Sequence, residues 1–231
     1  MDTEKVRQGL KLVLWAIVSL ISHAVNWVVM AGLGLVSFLL VDRILTLGDA
    51  YLFITVGLSL FVFQFLLCIV TAVSIRVLMW TIAPDRGYSM ISIHGIVFYA
   101  VSRLHEMCCM ICLNAFKSQP FILWYYRLCG AKIGLGVVLN SLNIDPCRFV
   151  SIGQGTFVGG DTKIIAHTFR KEGVMFRDVK IGKRCALGMG CVVTRGSEIG
   201  NGAVLQSGAS VYGKKLEGGQ KYRGSPARLI E

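Results

Sequence analysis

The chain has 231 residues, 54% of them hydrophobic, with a mean hydropathy of +0.63 and a formal net charge of +11. Such apolar content excludes an ordinary water-soluble globule, and the length leaves room for one or two domains. The positive charge attracts anions, yet no nucleic-acid fold motif accompanies it, so nucleic acid is excluded in favour of a membrane surface or a phosphate-bearing ligand.

Two uncharged runs open the chain. Val13 to Val41 and Ala50 to Ile75 contain no Asp, Glu, Lys or Arg. Each exceeds the roughly 20 residues a helix needs to cross ~30 Å of hydrocarbon. Both are too long for a cleavable leader, and no small-residue cleavage site follows either. The expectation is a transmembrane helical hairpin over 1–83, turned by the loop Asp42 to Asp49. Lys5, Arg7 and Lys11 precede the first run, Arg76 and Arg86 follow the second, and the loop has only Arg43. Basic residues favour the cytoplasmic side. The pattern therefore predicts a multi-pass protein of the plasma (inner) membrane, with both termini and everything after residue 76 in the cytoplasm.

Pro84-Asp85-Arg86-Gly87 marks a break. Tyr88 to Phe116 then interrupts its apolar residues with Arg103, His105 and Glu106. Central charges cost ~2.5–3.5 kcal/mol each on insertion scales, so 84–131 is expected to form interfacial amphipathic helices, with a third, short span as the alternative. His105, Cys108, Cys109 and Cys112 share one helical face and could ligate a metal, and Cys108 or Cys109 could be acylated near a bilayer. The spacing is loose and no second cysteine pair lies nearby in sequence, so packing residues and no metal are expected. Cytoplasmic placement argues against disulfides among the eight cysteines. Trp124, Tyr125, Tyr126 and Arg127 suit an interfacial anchor.

From Lys132 a different period takes over. Ile133 and Leu139 are six residues apart; the register slips across Asn140 to Arg148, and returns at Ile152, Val158 and Ile164. After a break from Ile165 to Lys180 the period is strict: Ile181, Leu187, Val193, Ile199, Leu205, Val211. Two residues before each stands a mostly small one: Val179, Cys185, Cys191, Ser197, Ala203, Ala209. Six fits neither a helix nor an ordinary strand and belongs to a parallel β-helix, three hexapeptides to a coil. The fold class predicted is a membrane α-helical N-terminal part followed, over 132–231, by a left-handed parallel β-helix of hexapeptide repeats. Glycines after the aliphatic residue (Gly134, Gly153, Gly159, Gly182, Gly188, Gly200) are expected at corners where φ is positive. Gly224-Ser225-Pro226-Ala227-Arg228 is expected to cover the end of the coil.

A rigid coil positions chemistry on loops that leave its wall, so the break is the place for a site. It contains His167, the only histidine in 132–231. Free imidazole titrates near pH ~6.5 and can accept a proton from a hydroxyl or amine near neutrality. A metal-hydration chemistry on this coil would need three histidines.

With those residues in place, 133–230 resembles the hexapeptide-repeat acyltransferases, and the loop resembles that of the galactoside and maltose acetyltransferases. His167, Arg170-Lys171-Glu172-Gly173, Ile181-Gly182 and the closing Gly224-Ser225-Pro226-Ala227-Arg228 carry the likeness. The resemblance implies a homotrimer with active sites between neighbouring β-helices, His167 as general base, and acetyl-CoA or another acyl-CoA as donor to a hydroxyl or amine. It further implies a catalytic Asn140, aimed at an oxyanion or the acceptor. Asp145 would bind the acceptor or orient an imidazole across the trimer interface, with Asp161 and Glu172 as reserve partners of His167. Gly188, Gly190, Ser207 and Gly208 would line the pantetheine path, and Lys214 and Arg228 would meet the nucleotide phosphates.

Trp124 to Gly134 and Val150 to Gly153 are also similar to the membrane-embedded C-terminal region of poly-ε-lysine-synthase-type peptide synthetases, over about the last 145 residues. That likeness implies the alternative of an amide-forming domain fed by a phosphopantetheine thioester on a carrier protein. A non-catalytic trimeric membrane scaffold is the third option.

Overall fold

The structure, a computed structural model, describes residues 17, 21, 24, 27–43, 52–114, 118–171 and 173–230. Helix α1 covers 27–43, running through Arg43 beyond the last apolar residue of the first run. Helix α2, Leu52–Leu78, ends in a 3-10 turn at Met79–Thr81. The second run does not stop at Arg76, because one charge near a helix end does not break backbone hydrogen bonding. Ser59 is satisfied within α2, its hydroxyl donating to the Thr55 carbonyl at 2.6 Å. Much of the surface of α2 is exposed and apolar, including Leu60, Phe61, Val73 and Val77.

Pro84 to Gly87 makes the expected break, with Asp85 at φ 59°. Helix α3, Ile93–Cys108, starts at Ser92, whose hydroxyl accepts from Gly95 N at 3.2 Å, and continues as a π-helical turn over Cys109–Leu113. By length and composition two helical stretches could cross a membrane: Ile54–Thr81, 28 residues of mean hydropathy 2.4, and Ile93–Leu113, 21 residues of mean hydropathy 1.5. Helix α4, Gln119–Leu128, has proline in its first turn, where the missing N–H costs nothing. Its Tyr125 and Tyr126 are fully buried rather than set at an interface. Burial holds both hydroxyls well above the ordinary phenol range.

The rest of the chain winds into three parallel sheets, with consecutive strands taking each sheet in turn. Ile181, Leu187 and Val192 pair with Ile199, Leu205 and Ser210, a constant offset of 18 residues. One coil earlier Ile152, Val158 and Ile164 pair with Ile181, Leu187 and Val193, an offset of 29. The difference, 11 residues, is the excursion made between Ile165 and Val179. The slip at Asn140 to Arg148 has its counterpart in the first coil, where Leu139 pairs with Val158 and Ile144 with Ile164, offsets of 19 and 20.

The inward aliphatic residues from Ile133 to Leu216 form the buried core of the coil. Its small slots are buried too, and their polar members bond the next coil: Thr156 Oγ1 donates to Gly182 O at 2.7 Å and Cys185 Sγ to Gly200 O at 3.1 Å. Glycine after the aliphatic residue has a different cause from the one expected, because none of those six has positive φ. They are tight for another reason: a Cβ at Gly188 would sit 2.5 Å from Ser207 N, and at Gly200 2.4 Å from Gly218 N. Positive φ falls two residues later, at Gly190 and Gly208 among others.

Both ends of the prism are covered. The tail pairs antiparallel with the last coil, Arg223 opposite Arg228, and Ala227 N donates to Ser210 O at 2.7 Å. Helix α4 covers the other end. Gln119 exchanges both amide groups with Leu139, Arg127 donates to the carbonyls of Ile133 and Gly134, and Tyr126 donates to Leu142 O at 2.7 Å. One hydrophobic core runs unbroken from Leu67 in α2 to Tyr222 in the coil.

Candidate functional site

The 11-residue excursion forms a hairpin, His167–Arg170 against Gly173–Phe176. It does not wave free: Gly87–Tyr88 adds a third antiparallel strand beside Gly173–Phe176. Gly173 is required there, since it has φ 138° and a Cβ would meet Tyr88 O at 1.9 Å. Phe176 anchors the return, ringed by Tyr88, Phe98 and Phe149 at 4.9 to 6.1 Å between centroids. An Arg177–Asp85 ion pair closes the base.

Sheet register then places a carboxylate beside the histidine. Asp145 pairs with Ile165 on the neighbouring coil, and His167 lies two residues further on, within reach of the same side chain. His167 Nδ1 stands 3.4 Å from Asp145 Oδ2, close enough for an ion pair but outside hydrogen-bond alignment. Nδ1 is buried. The two side chains are 16% and 31% exposed. Asp145 and His167 therefore face each other within one chain, whereas the resemblance implied acceptor binding by Asp145 or an imidazole reached across the trimer interface.

Helix α3 supplies the other wall. Phe98 meets the imidazole edge-on at 5.1 Å, and Phe169 does the same at 5.2 Å. One turn later Ser102 donates to Asp145 Oδ1 at 3.4 Å. The sequence reading missed both, although Phe98, Ser102, His105 and Cys109 follow the i, i+4, i+7, i+11 spacing of one helix face. That face and the strand Asn143–Asp145 enclose a cavity of about 400 Å³. Arg103, His105, Glu106 and Met110 complete much of its lining.

Asn140 and Asp161 lie elsewhere. They line a second cavity of about 420 Å³, which shares Asn114, Leu142 and Asn143 with the first. Asn140 Oδ1 accepts from Gln119 Nε2 at 2.9 Å, so part of its polarity is spent on the α4 cap. Asp161 takes a left-handed corner, φ 56°, and makes no pair with His167 among the described residues. Glu172 lies outside the described residues.

The residues expected along a donor path are exposed, apart from the half-buried Gly188, and spread over separate corners. Gly188, Gly190, Ser207 and Gly208 stack at one corner, tied by Gly190 N to Gly160 O and Gly208 N to Met189 O, each 2.9 Å. A Cβ on Gly190 or Gly208 would meet nothing within 4 Å, so bare backbone faces outward there. Lys214 follows the next sheet, and Arg228 lies on the terminal strand. One chain does not gather them around a groove. A basic group nearer the loop does gather: burial lowers Arg195 from the usual arginine value, and Arg170 and Arg177 repel it further.

No protein-family model matches the sequence, and no curated protein matches it. Among solved structures, a hexapeptide-repeat acetyltransferase of Vibrio cholerae complexed with acetyl coenzyme A is similar over 62% of this chain and 91% of its own, at 14% identity and a TM-score of 0.43. A maltose O-acetyltransferase from Clostridium difficile 630 matches over 51% of this chain and 87% of its own, at 17% identity and a TM-score of 0.38. A galactoside acetyltransferase in complex with coenzyme A matches over 47% of this chain and 68% of its own, at 13% identity and a TM-score of 0.39.

Proposed function

We propose that this chain is a membrane-bound acyltransferase, acetyl transfer foremost, that moves an acyl group from a CoA thioester to a hydroxyl or amine near the bilayer. The observation that carries the reading is the approach of His167 Nδ1 to the Asp145 carboxylate where a hairpin leaves the β-helix. Neutral His167 accepts the acceptor's proton at Nε2 as the nucleophile attacks the thioester carbonyl. Asp145 stabilises the imidazolium through Nδ1. The tetrahedral oxyanion collapses, the C–S bond breaks, and the imidazolium returns its proton to the departing thiolate. Phe98 and Phe169 flank the imidazole edge-on and hold its plane.

The acceptor would enter the cavity beside Asp145, whose far wall is α3. The stretch Ile54–Thr81 is long and apolar enough to cross a membrane, which favours a lipid-linked or membrane-proximal acceptor, and the basic residues flanking the two N-terminal runs favour a cytoplasmic β-helix. For the donor, the bare backbone at Gly190 and Gly208 suits a pantetheine arm, and the Arg170–Arg177–Arg195 group suits its phosphates. Those surfaces lie apart on one chain, so a homotrimer in which a second copy closes the groove fits them better. Val138, Phe157, Ala186 and Val204 stack in register on the outer face of one sheet and give an apolar surface for that contact.

The test is thiol release from acetyl-CoA by the purified full chain in detergent, with a membrane-lipid extract as acceptor. Wild type should turn over, and His167→Ala should lose about 10²- to 10⁴-fold in rate. A folded His167→Ala protein as fast as wild type would end the reading. Turnover only with an acyl-carrier thioester would replace CoA as the donor and leave the histidine chemistry standing.

A further inference from the structure

Six of the eight cysteines converge on the seam where the helices meet the first coil. Two groups form there, one on each side of α3. Cys68, Cys108 and Cys112 face α2, and His105, Cys129 and Cys147 face α4 and the coil; all six are buried, and within each group the ligand atoms lie within 4.8 Å of one another. None of the cysteines is in a disulfide.

A fourth thiol stands beside the second group. Cys109 Sγ is 3.6 Å from His105 Nε2, one helical turn along the same face. We propose that His105, Cys109, Cys129 and Cys147 form a closed, structural zinc site joining α3, α4 and the β-helix. With Zn–S near 2.3 Å and Zn–N near 2.0–2.1 Å, ligand atoms of a tetrahedral site stand roughly 3.5–3.8 Å apart. To close on an ion, Cys109 has to swing in from beside His105.

The surroundings are those of a ligated histidine. The Tyr125 hydroxyl lies 2.8 Å from His105 Nδ1, and the two rings stack with an interplanar angle of 3°. With Nε2 on the metal, Nδ1 carries the proton and donates to that hydroxyl, which fixes both tautomer and ring orientation. An ion can reach the site, because His105 and Cys109 both line the 400 Å³ cavity. A disulfide would leave His105 without a role, and simple packing does not require thiols from three separate segments to meet around one imidazole. The Cys68 group lacks a histidine and serves as the internal control.

Loading releases three thiol protons to solvent as three Zn–S bonds form. Zinc affinity therefore falls as pH is lowered. The site does not depend on the acyl-transfer reading.

The experiment is elemental analysis of the full chain purified in detergent from zinc-supplemented cells. Wild type should hold about one zinc per chain, Cys129→Ser/Cys147→Ser less than about a tenth, and Cys68→Ser/Cys112→Ser as much as wild type. Should the first double variant fail to fold, wild type stripped with chelator and titrated with Co²⁺ should develop thiolate-to-cobalt charge-transfer absorption and tetrahedral d–d bands. Monodisperse wild type with neither zinc nor a cobalt spectrum would overturn the proposal. So would zinc that survives Cys129→Ser/Cys147→Ser, or that leaves with Cys68→Ser/Cys112→Ser.

Discussion

At Asp145 the backbone and the chemistry meet. Its strand register puts the carboxylate against His167, and its side chain also lines the cavity where an acceptor would sit. Asp145→Asn preserves shape and removes the charge that stabilises an imidazolium. It should slow turnover by about 10²-fold or more with the fold intact, read as kcat across pH 5 to 9 beside a thermal melt. Two neighbouring glycines offer a contrast on stability alone. Gly188→Ala drives a Cβ into the Ser207 backbone and should cost about 1–3 kcal/mol through overpacking. Gly190→Ala has open space but φ 69°, and should cost about 1–2 kcal/mol of backbone strain instead. Thermal unfolding checks both, and only the first should also disturb the coil stacking seen by amide exchange.

The hairpin is held as an element by an unlikely-looking partner, two residues just before α3. Gly173→Ala would push the strand off Tyr88. The variant should then be cut by trypsin at Arg170 or Lys171 much faster than wild type, with turnover lost although the coil still melts cooperatively. Elsewhere the elements carry only weak surface support. Lys180 pairs with Glu198 at 2.8 Å, and that bond with its charge holds the Glu198 carboxyl below its usual value. A depressed carboxyl stabilises the fold above the unfolded pKa, and the contribution disappears as pH falls through the folded one. Melting of Glu198→Gln and wild type should therefore converge between about pH 5 and pH 3, from a small difference at pH 7.

These elements also mark how far the sequence could be read. Period six from Ile181 to Val211 told of the coil because every inward position is aliphatic and every slot small. The excursion around His167 was legible as a gap in that period. Asp145 was flagged by resemblance, with an imidazole as one possible partner, but its approach to His167 of the same chain was not legible, since the slip at Asn140 to Arg148 hid which residue would face which. Glycine alone does not say whether φ or contact demands it, and the two causes were exchanged. Nor does sequence spacing bring Cys129 and Cys147 to His105: the first follows α4, the second follows a coil strand, and only packing unites them.

For the whole molecule, the shared core means that the helices are part of what makes the coil soluble and whole. A fragment starting at residue 132 would leave Ile133, Leu139 and Leu142 without Ile122, Tyr125 and Tyr126 of α4. Expressed alone it should aggregate or bind a hydrophobic dye, whereas a fragment starting at residue 84 should do so less. Size-exclusion profiles of the two would decide.

Sealing at both ends has one more consequence. A prism capped by Gln119 and Arg127 below and, on one sheet, by the 228–229 strand above leaves little rim among the described residues on which copies could polymerise or further turns be appended. Growth has to come from within. Duplicating one 18-residue turn between Ile181 and Ile199 should lengthen the shaft by a single storey and leave lid, floor and loop as they are.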